Sequence, residues 1–173
     1  MFAVKRYDIV DAIDYQPMVS NVHQSRWNIP SAVSSASIFG YNANGWKFGN
    51  ASSYSRIIHQ TSLTAPFSVE FTLTELFNDG LIQYIYSNGT TPNAGIVINA
   101  INNTITICGN SYNYNFVAND KFRIEWNNGN CKVYKNDVLF GEGTHSVSFP
   151  TNVEFHASSN RYCRIKDLII KPL

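Results

Sequence analysis

The chain is short of charge. Only 14% of its 173 residues are Asp, Glu, Lys or Arg, against about a quarter in an ordinary soluble domain. Thirteen basic and twelve acidic residues leave a formal net charge of +1, and no basic block occurs anywhere. Nucleic-acid binding needs a Lys/Arg stripe to neutralise phosphates, so no nucleic-acid partner is expected. No run approaches the ~18 consecutive apolar residues of a spanning helix, so no membrane span is expected either. The opening MFAVKRYDIVDAIDY has neither the apolar core nor the small-residue cleavage site of a secretion signal. The expectation is synthesis in the cytoplasm and, by another route, a place on an extracellular surface or a virion, unless the sequence is an excised domain.

Cysteine is scarce as well. Cys108, Cys131 and Cys163 are odd in number, widely spaced and each set in a strand-like run. Without the short-spaced ligand pairs of a zinc site they read as free, small hydrophobes, and no metal or other cofactor is expected. The chain lacks a Gly-rich phosphate loop and the G-x-S-x-G pattern of a nucleophile elbow. Its four histidines, His23, His59, His145 and His156, stand apart from one another. Helical periodicity is nearly missing, with Tyr7–Tyr15 and Thr74–Asn78 as the only weak candidates.

What is present is alternation. In Lys121–Phe140, KFRIEWNNGNCKVYKNDVLF, Phe122, Ile124 and Trp126 alternate with Arg123 and Glu125. An Asn128-Gly129 turn follows, and Cys131, Val133 and Lys135 then alternate with Lys132 and Tyr134. Period-two patterning on both sides of Asn-Gly is a strong hairpin signal, and a second turn at Asn136-Asp137 adds a third antiparallel strand. Phe67, Val69, Phe71 and Leu73 alternate with Ser68, Glu70, Thr72 and Thr74. Further strands are expected at Trp46–Phe48, Arg56–Thr61, Leu81–Tyr86, Gly95–Ala100, Thr104–Cys108, Tyr112–Val117, Val147–Phe149, Val153–Ala157 and Cys163–Lys171. About twelve strands at this spacing predict an all-β, antiparallel two-sheet sandwich spanning residues 1–173 as a single domain. Residues 1–33 have the least regular pattern and read as an N-terminal arm or an edge strand beside the C-terminus.

Three patterns carry a resemblance to a known scaffold. Pro66-Phe67–Leu73 resembles the long central strand of the concanavalin A-like jelly roll, a fold shared by legume lectins, laminin G modules and glucanases. Phe122–Phe140, with its turn at Tyr134-Lys135-Asn136-Asp137, resembles that family's hairpin, and Arg164–Lys171 resembles its closing strand. The likeness runs from about Ala36 onward. The calcium loop of legume lectins and the Glu-x-Asp-x-x-Glu strand of the retaining glucanases have no counterpart here.

Function rests on polar aromatics. Ten Tyr, eleven Phe and three Trp make the chain rich in rings, and Asn fills its loops. The candidate ligand-binding residues are Trp27, Arg56, His59, Tyr84, Tyr86, Asn110, Tyr112 and Tyr114. Flat rings stack on the C–H faces of sugars while Asn and Arg pair with hydroxyls, a chemistry that needs little net charge. The first reading is a non-catalytic, lectin-like or adhesin domain whose partner is a cell-surface polysaccharide. A second is a structural subunit, self-associating as a homo-oligomer or built into a virion tail, fibre or surface. A third is a polysaccharide-cleaving enzyme using Glu70 or Glu125, a glycoside hydrolase or lyase, ranked last because the chemistry needs two opposed carboxylates. At every one of these positions strand packing competes with function: Tyr is favoured in strands for packing alone.

Overall fold

Alternation along the chain becomes strand pairing across two sheets. A computed structural model describes the backbone of residues 14–16, 27–28, 41–42, 45–48, 55–59, 63–77, 81–86, 94–150, 152–157 and 162–173, and the side chains of 63–77, 95–150, 153, 155 and 162–173. The described residues form fifteen strands: β1 Asp14–Gln16, β2 Trp27–Asn28, β3 Tyr41–Asn42, β4 Gly45–Phe48, β5 Ser55–His59, β6 Phe67–Phe77, β7 Leu81–Tyr86 and β8 Ala94–Asn99. They continue with β9 Thr104–Ile107, β10 Asn110–Asn113, β11 Asp120–Asn127, β12 Asn130–Lys135, β13 Val138–Thr144, β14 Asn152–Ala157 and β15 Tyr162–Pro172. No helix occurs among the described residues, and none is long and apolar enough to cross a membrane.

An eight-stranded antiparallel sheet runs β13-β12-β11-β6-β15-β4-β3, with β1 also paired to β15. A seven-stranded antiparallel sheet runs β10-β9-β8-β7-β14-β5-β2. This is the two-layer architecture that the alternation predicts. The greasy face of each central strand is buried in full: Val69, Leu73, Ile124, Trp126 and Ile170 from one sheet meet Ile105, Ile107, Val153 and Phe155 from the other. Phe71 ties the layers together, stacking on Phe122 of its own sheet at 5.5 Å and meeting Phe155 of the other edge-on at 5.8 Å. Such aromatic pairs add stabilisation beyond area burial.

At one side the sheets close on each other. The Tyr112 hydroxyl of β10 donates to the Glu142 carbonyl of β13 at 2.7 Å and accepts from the Glu142 N–H at 3.2 Å. Glycine makes the approach feasible. A Cβ on Gly143 would stand 2.4 Å from the Ile107 carbonyl oxygen, and one on Gly141 would stand 2.9 Å from the Tyr112 ring.

Three sequence expectations are corrected. Thr74–Phe77 continues β6, since its partner β15 runs alongside as far as Tyr162, opposite Phe77; no helix starts there. Val147–Phe149 alternates but forms no strand. Its greasy residues are satisfied by side-chain packing: Val147 is buried while its N–H donates to His145 Nδ1, and Phe149 lies edge-on to Phe67. The strand expected at Tyr112–Val117 is shifted to Asn110–Asn113, because Tyr114 leaves the sheet to anchor elsewhere. The helix candidate over Tyr7–Tyr15 falls largely outside the described residues.

Candidate functional site

In β14, Val153 and Phe155 are fully buried, so pleating puts Asn152, Glu154 and His156 on the outer face of the seven-stranded sheet. The strands on either side bring partners to that row. Glu154 is in register with Tyr84 of β7 and Ile58 of β5, His156 with Arg56 and Ile82, and Asn152 with Tyr86. Asn28 of β2 is opposite Ile58. Beyond Tyr84 the register reaches Gly95, a residue with no side chain, which leaves an open step beside the tyrosine position. Directly opposed residues on one face have Cβ atoms roughly 5 Å apart, within the span of a single sugar ring.

The half of this face nearest β10 continues in small polar residues. Thr104 and Thr106 of β9 are half-buried, and Ser111 and Asn113 of β10 are exposed, so no further layer covers them. Thr106 and Ser111 share a hydroxyl–hydroxyl hydrogen bond of 3.0 Å. By register the described strands place Tyr, Asn, Thr and Ser positions on this face with Arg56, His156 and Glu154, and the apolar Ile58, Ile82 and Val97 among them. Glu154 is the only acid on it among the described strands.

The eight residues singled out from sequence are distributed unevenly. Arg56, Tyr84 and Tyr86 come together on this outer face by register. Trp27 and His59 are opposite each other at the β2–β5 pairing, on the alternate face that also carries Ile57 and Phe155; their side chains lie outside the described residues, as do those of Arg56, Tyr84 and Tyr86. Asn110 is exposed at the sheet edge and its Nδ2 donates to the Glu142 carbonyl at 3.3 Å. Tyr112 occupies the seam, with its hydroxyl already used by Glu142.

Tyr114 is not a sugar platform. It is 3% exposed, its ring meets Phe122 and Phe140 edge-on, and its hydroxyl donates to Asp120 Oδ2 at 2.9 Å. Asp120 is itself buried and accepts from Asn136 Nδ2 at 3.0 Å and from the Val117 N–H at 3.3 Å, with Lys135 Nζ 3.5 Å away. Burial and then the Asp120 carboxylate hold the Tyr114 phenol well above its usual range. The buried acid outbids a ligand for that ring.

Sequence reasoning missed Asn28, Asn152, Glu154 and His156 as members of the site. A signal existed: Asn152, Glu154 and His156 alternate with Val153 and Phe155, so the outer row of one strand is polar throughout. What neighbours that row depends on β14 pairing with β5 and β7, contacts remote in sequence.

Glu70 and Glu125 lie elsewhere, on the outer face of the eight-stranded sheet. Glu70 Oε1 is 2.8 Å from Lys171 Nζ, and Glu125 is ion-paired with Arg123, whose guanidinium also covers the Tyr134 ring at 3.8 Å. A depression of about 190 Å³ opens nearby, lined by Glu70, Thr72, Lys121, Arg123, Asp137 and Asp167. It carries no exposed ring.

No family model and no curated protein sequence matches the chain. Solved structures do. The carbohydrate-binding module CBM66 from Bacillus subtilis superposes with a TM-score of 0.62 at 14% identity, over 84% of this chain and 95% of that one. A Bacillus licheniformis beta-glucanase gives 0.67 at 11% identity, over 92% and 97%. The fold is the concanavalin A-like jelly roll. A Bacillus subtilis protein of unknown function with a galectin-like fold gives 0.68 at 7% identity, over 93% and 96%. This jelly roll thus serves as a binding module in one neighbour and a glucanase in another, so the scaffold leaves function to the chemistry of its faces.

Proposed function

We propose that the chain is a non-catalytic, lectin-like domain that binds a polysaccharide of a cell surface on the outer face of its seven-stranded sheet. The carrying observation is the register that gathers Arg56, Tyr84 and Tyr86 with Asn28, Asn152, Glu154 and His156 on one face, around Ile58 and Ile82. Tyrosine rings stack on sugar C–H faces, and the guanidinium and amides give paired hydrogen bonds to hydroxyls. Among the described strands of this face Glu154 is the one carboxylate, whereas glycoside hydrolysis uses an opposed pair. Display on an extracellular surface or a virion suits this role.

The test is a glycan array followed by calorimetric titration of wild type, Arg56→Ala and Tyr84→Ala. Binding to at least one surface polysaccharide, weakened at least tenfold in both variants, is the expected result. No binding to any polysaccharide, or equal binding by the variants, would overturn the reading, and release of reducing ends from the bound polymer would turn it into an enzyme.

A second reading, as an assembly subunit, draws on apolar residues left open near the Asp120 cluster: Val117, Val138 and Leu139 are 57%, 70% and 51% exposed. Light scattering that finds only monomer at every concentration removes it.

A further inference from the structure

The three cysteines are free but differ in setting. Cys163 is fully buried on β15. Cys108 and Cys131 belong to opposite sheets and meet at the seam. Cys131, fully buried on β12, is in register with Gly143 of β13. Cys108, half-buried, has its Cβ 2.9 Å from the point where a Cβ on Gly143 would stand. The side chain that glycine lacks leaves the space in which the two cysteines face each other, one from each sheet.

The backbone supports the same pairing. Cys108 and Gly109 form the two-residue turn between β9 and β10 with φ of 46° and 94°. Two left-handed residues in succession make the hairpin turn that Asn, Asp and Gly normally supply. A cysteine in the first of these positions is strained, and the Cys108 N–H donating to the Gly95 carbonyl at 2.9 Å helps to hold it there.

We propose that Cys108 and Cys131 are a dithiol modification site that closes to a cross-sheet disulfide by exchange with a small-molecule disulfide. Cys108 is the attacking group: it is half-buried rather than enclosed, and the Cys131 S–H stabilises its thiolate, drawing its pKa below the usual thiol value. The Cys108 thiol gives its proton to water, and the resulting thiolate attacks one sulfur of the reagent. The reagent's S–S bond breaks and one small thiolate leaves, taking up a proton. Cys131, kept protonated by burial, then loses its proton as its sulfur displaces the second small thiolate from Cys108. Two protein thiols are oxidised and one small disulfide is reduced to two thiols. The product ties the β9–β10 turn of the seven-stranded sheet to β12 of the other.

The test uses the whole chain with oxidised glutathione, followed by denaturation, alkylation and mass mapping. The expected product is two hydrogens lighter, carries alkyl only on Cys163, yields a Cys108–Cys131 cross-linked peptide and melts at a higher temperature. Cys108→Ser should not react under native conditions, and Cys131→Ser should stop with one glutathione on Cys108. If Cys131→Ser fails to fold, the wild-type time course replaces it, with a glutathione adduct at Cys108 appearing first and then vanishing. Three alkylated thiols, an adduct that persists in the wild type, or a bridge to Cys163 or to a second chain would overturn the proposal.

Discussion

The two outer faces of the sandwich differ in the charged residues their strands carry. On the eight-stranded sheet, Lys171 meets Glu70, Arg123 meets Glu125, and Arg164 Nε lies 3.2 Å from Glu75. Donors and acceptors there are spent on one another. On the seven-stranded sheet, Arg56, Glu154 and His156 share a face with Tyr84, Tyr86 and amides, and the strands supply one acid where the other sheet supplies several. One outer face thus carries several acids in ion pairs, whereas the described strands of the other carry a single acid.

The contrast can be broken first at the seam that holds the two faces back to back. Gly143→Ala drives a methyl into the Ile107 carbonyl and should cost about 3 kcal/mol in urea unfolding. A cost below about 1 kcal/mol would mean that the closure is loose.

Next come the face variants. Arg56→Ala and Tyr84→Ala should each lose about 2 kcal/mol of glycan affinity while moving folding stability by less than about 0.5 kcal/mol. A matching loss of stability would make these residues structural.

Alkali sharpens the comparison differently. Cys131 and Cys163, both in the eight-stranded sheet, and Tyr114, whose hydroxyl is bound to that sheet's Asp120, have acidities weakened by burial. Each stays protonated in the fold after its unfolded counterpart has ionised. The unfolded state then binds fewer protons, so stability falls as pH rises, from about pH 8.5 for the thiols and about pH 10 for the phenol. The slope is at most about 1.4 kcal/mol per pH unit for each group. Cys163→Ala should flatten the lower part of this fall in unfolding titrations across pH.

The smallest effect is expected on the self-paired face. Glu70→Gln and Glu125→Gln should each change stability by less than about 1 kcal/mol, as half-exposed ion pairs do, and leave glycan binding untouched. Lost binding in either would move the site to the other sheet.

Local features were readable in the sequence. The β11–β12–β13 meander follows from alternation and two short turns, Leu81–Tyr86 stands at the bounds its residues suggest, and Trp126 is as buried as its apolar phase implies. Pairings between distant segments were not readable. Nothing near Tyr84 says that Glu154 lies opposite it, and nothing near Tyr114 says that Asp120 takes its hydroxyl. Trp27 and His59 show the cost of reading residue type without parity, because the register sets them on the face opposite to Arg56. Cys108 looked like the end of a strand and proved to be half of a turn, since φ is a property that side-chain alternation does not report.

One hydroxyl has a consequence for how copies of this domain can meet. Glu142 lies on a sheet margin, where a free N–H and C=O would invite a strand from a neighbouring copy. Tyr112 occupies both groups at once. An incoming strand would have to displace that hydroxyl before it could pair at Glu142.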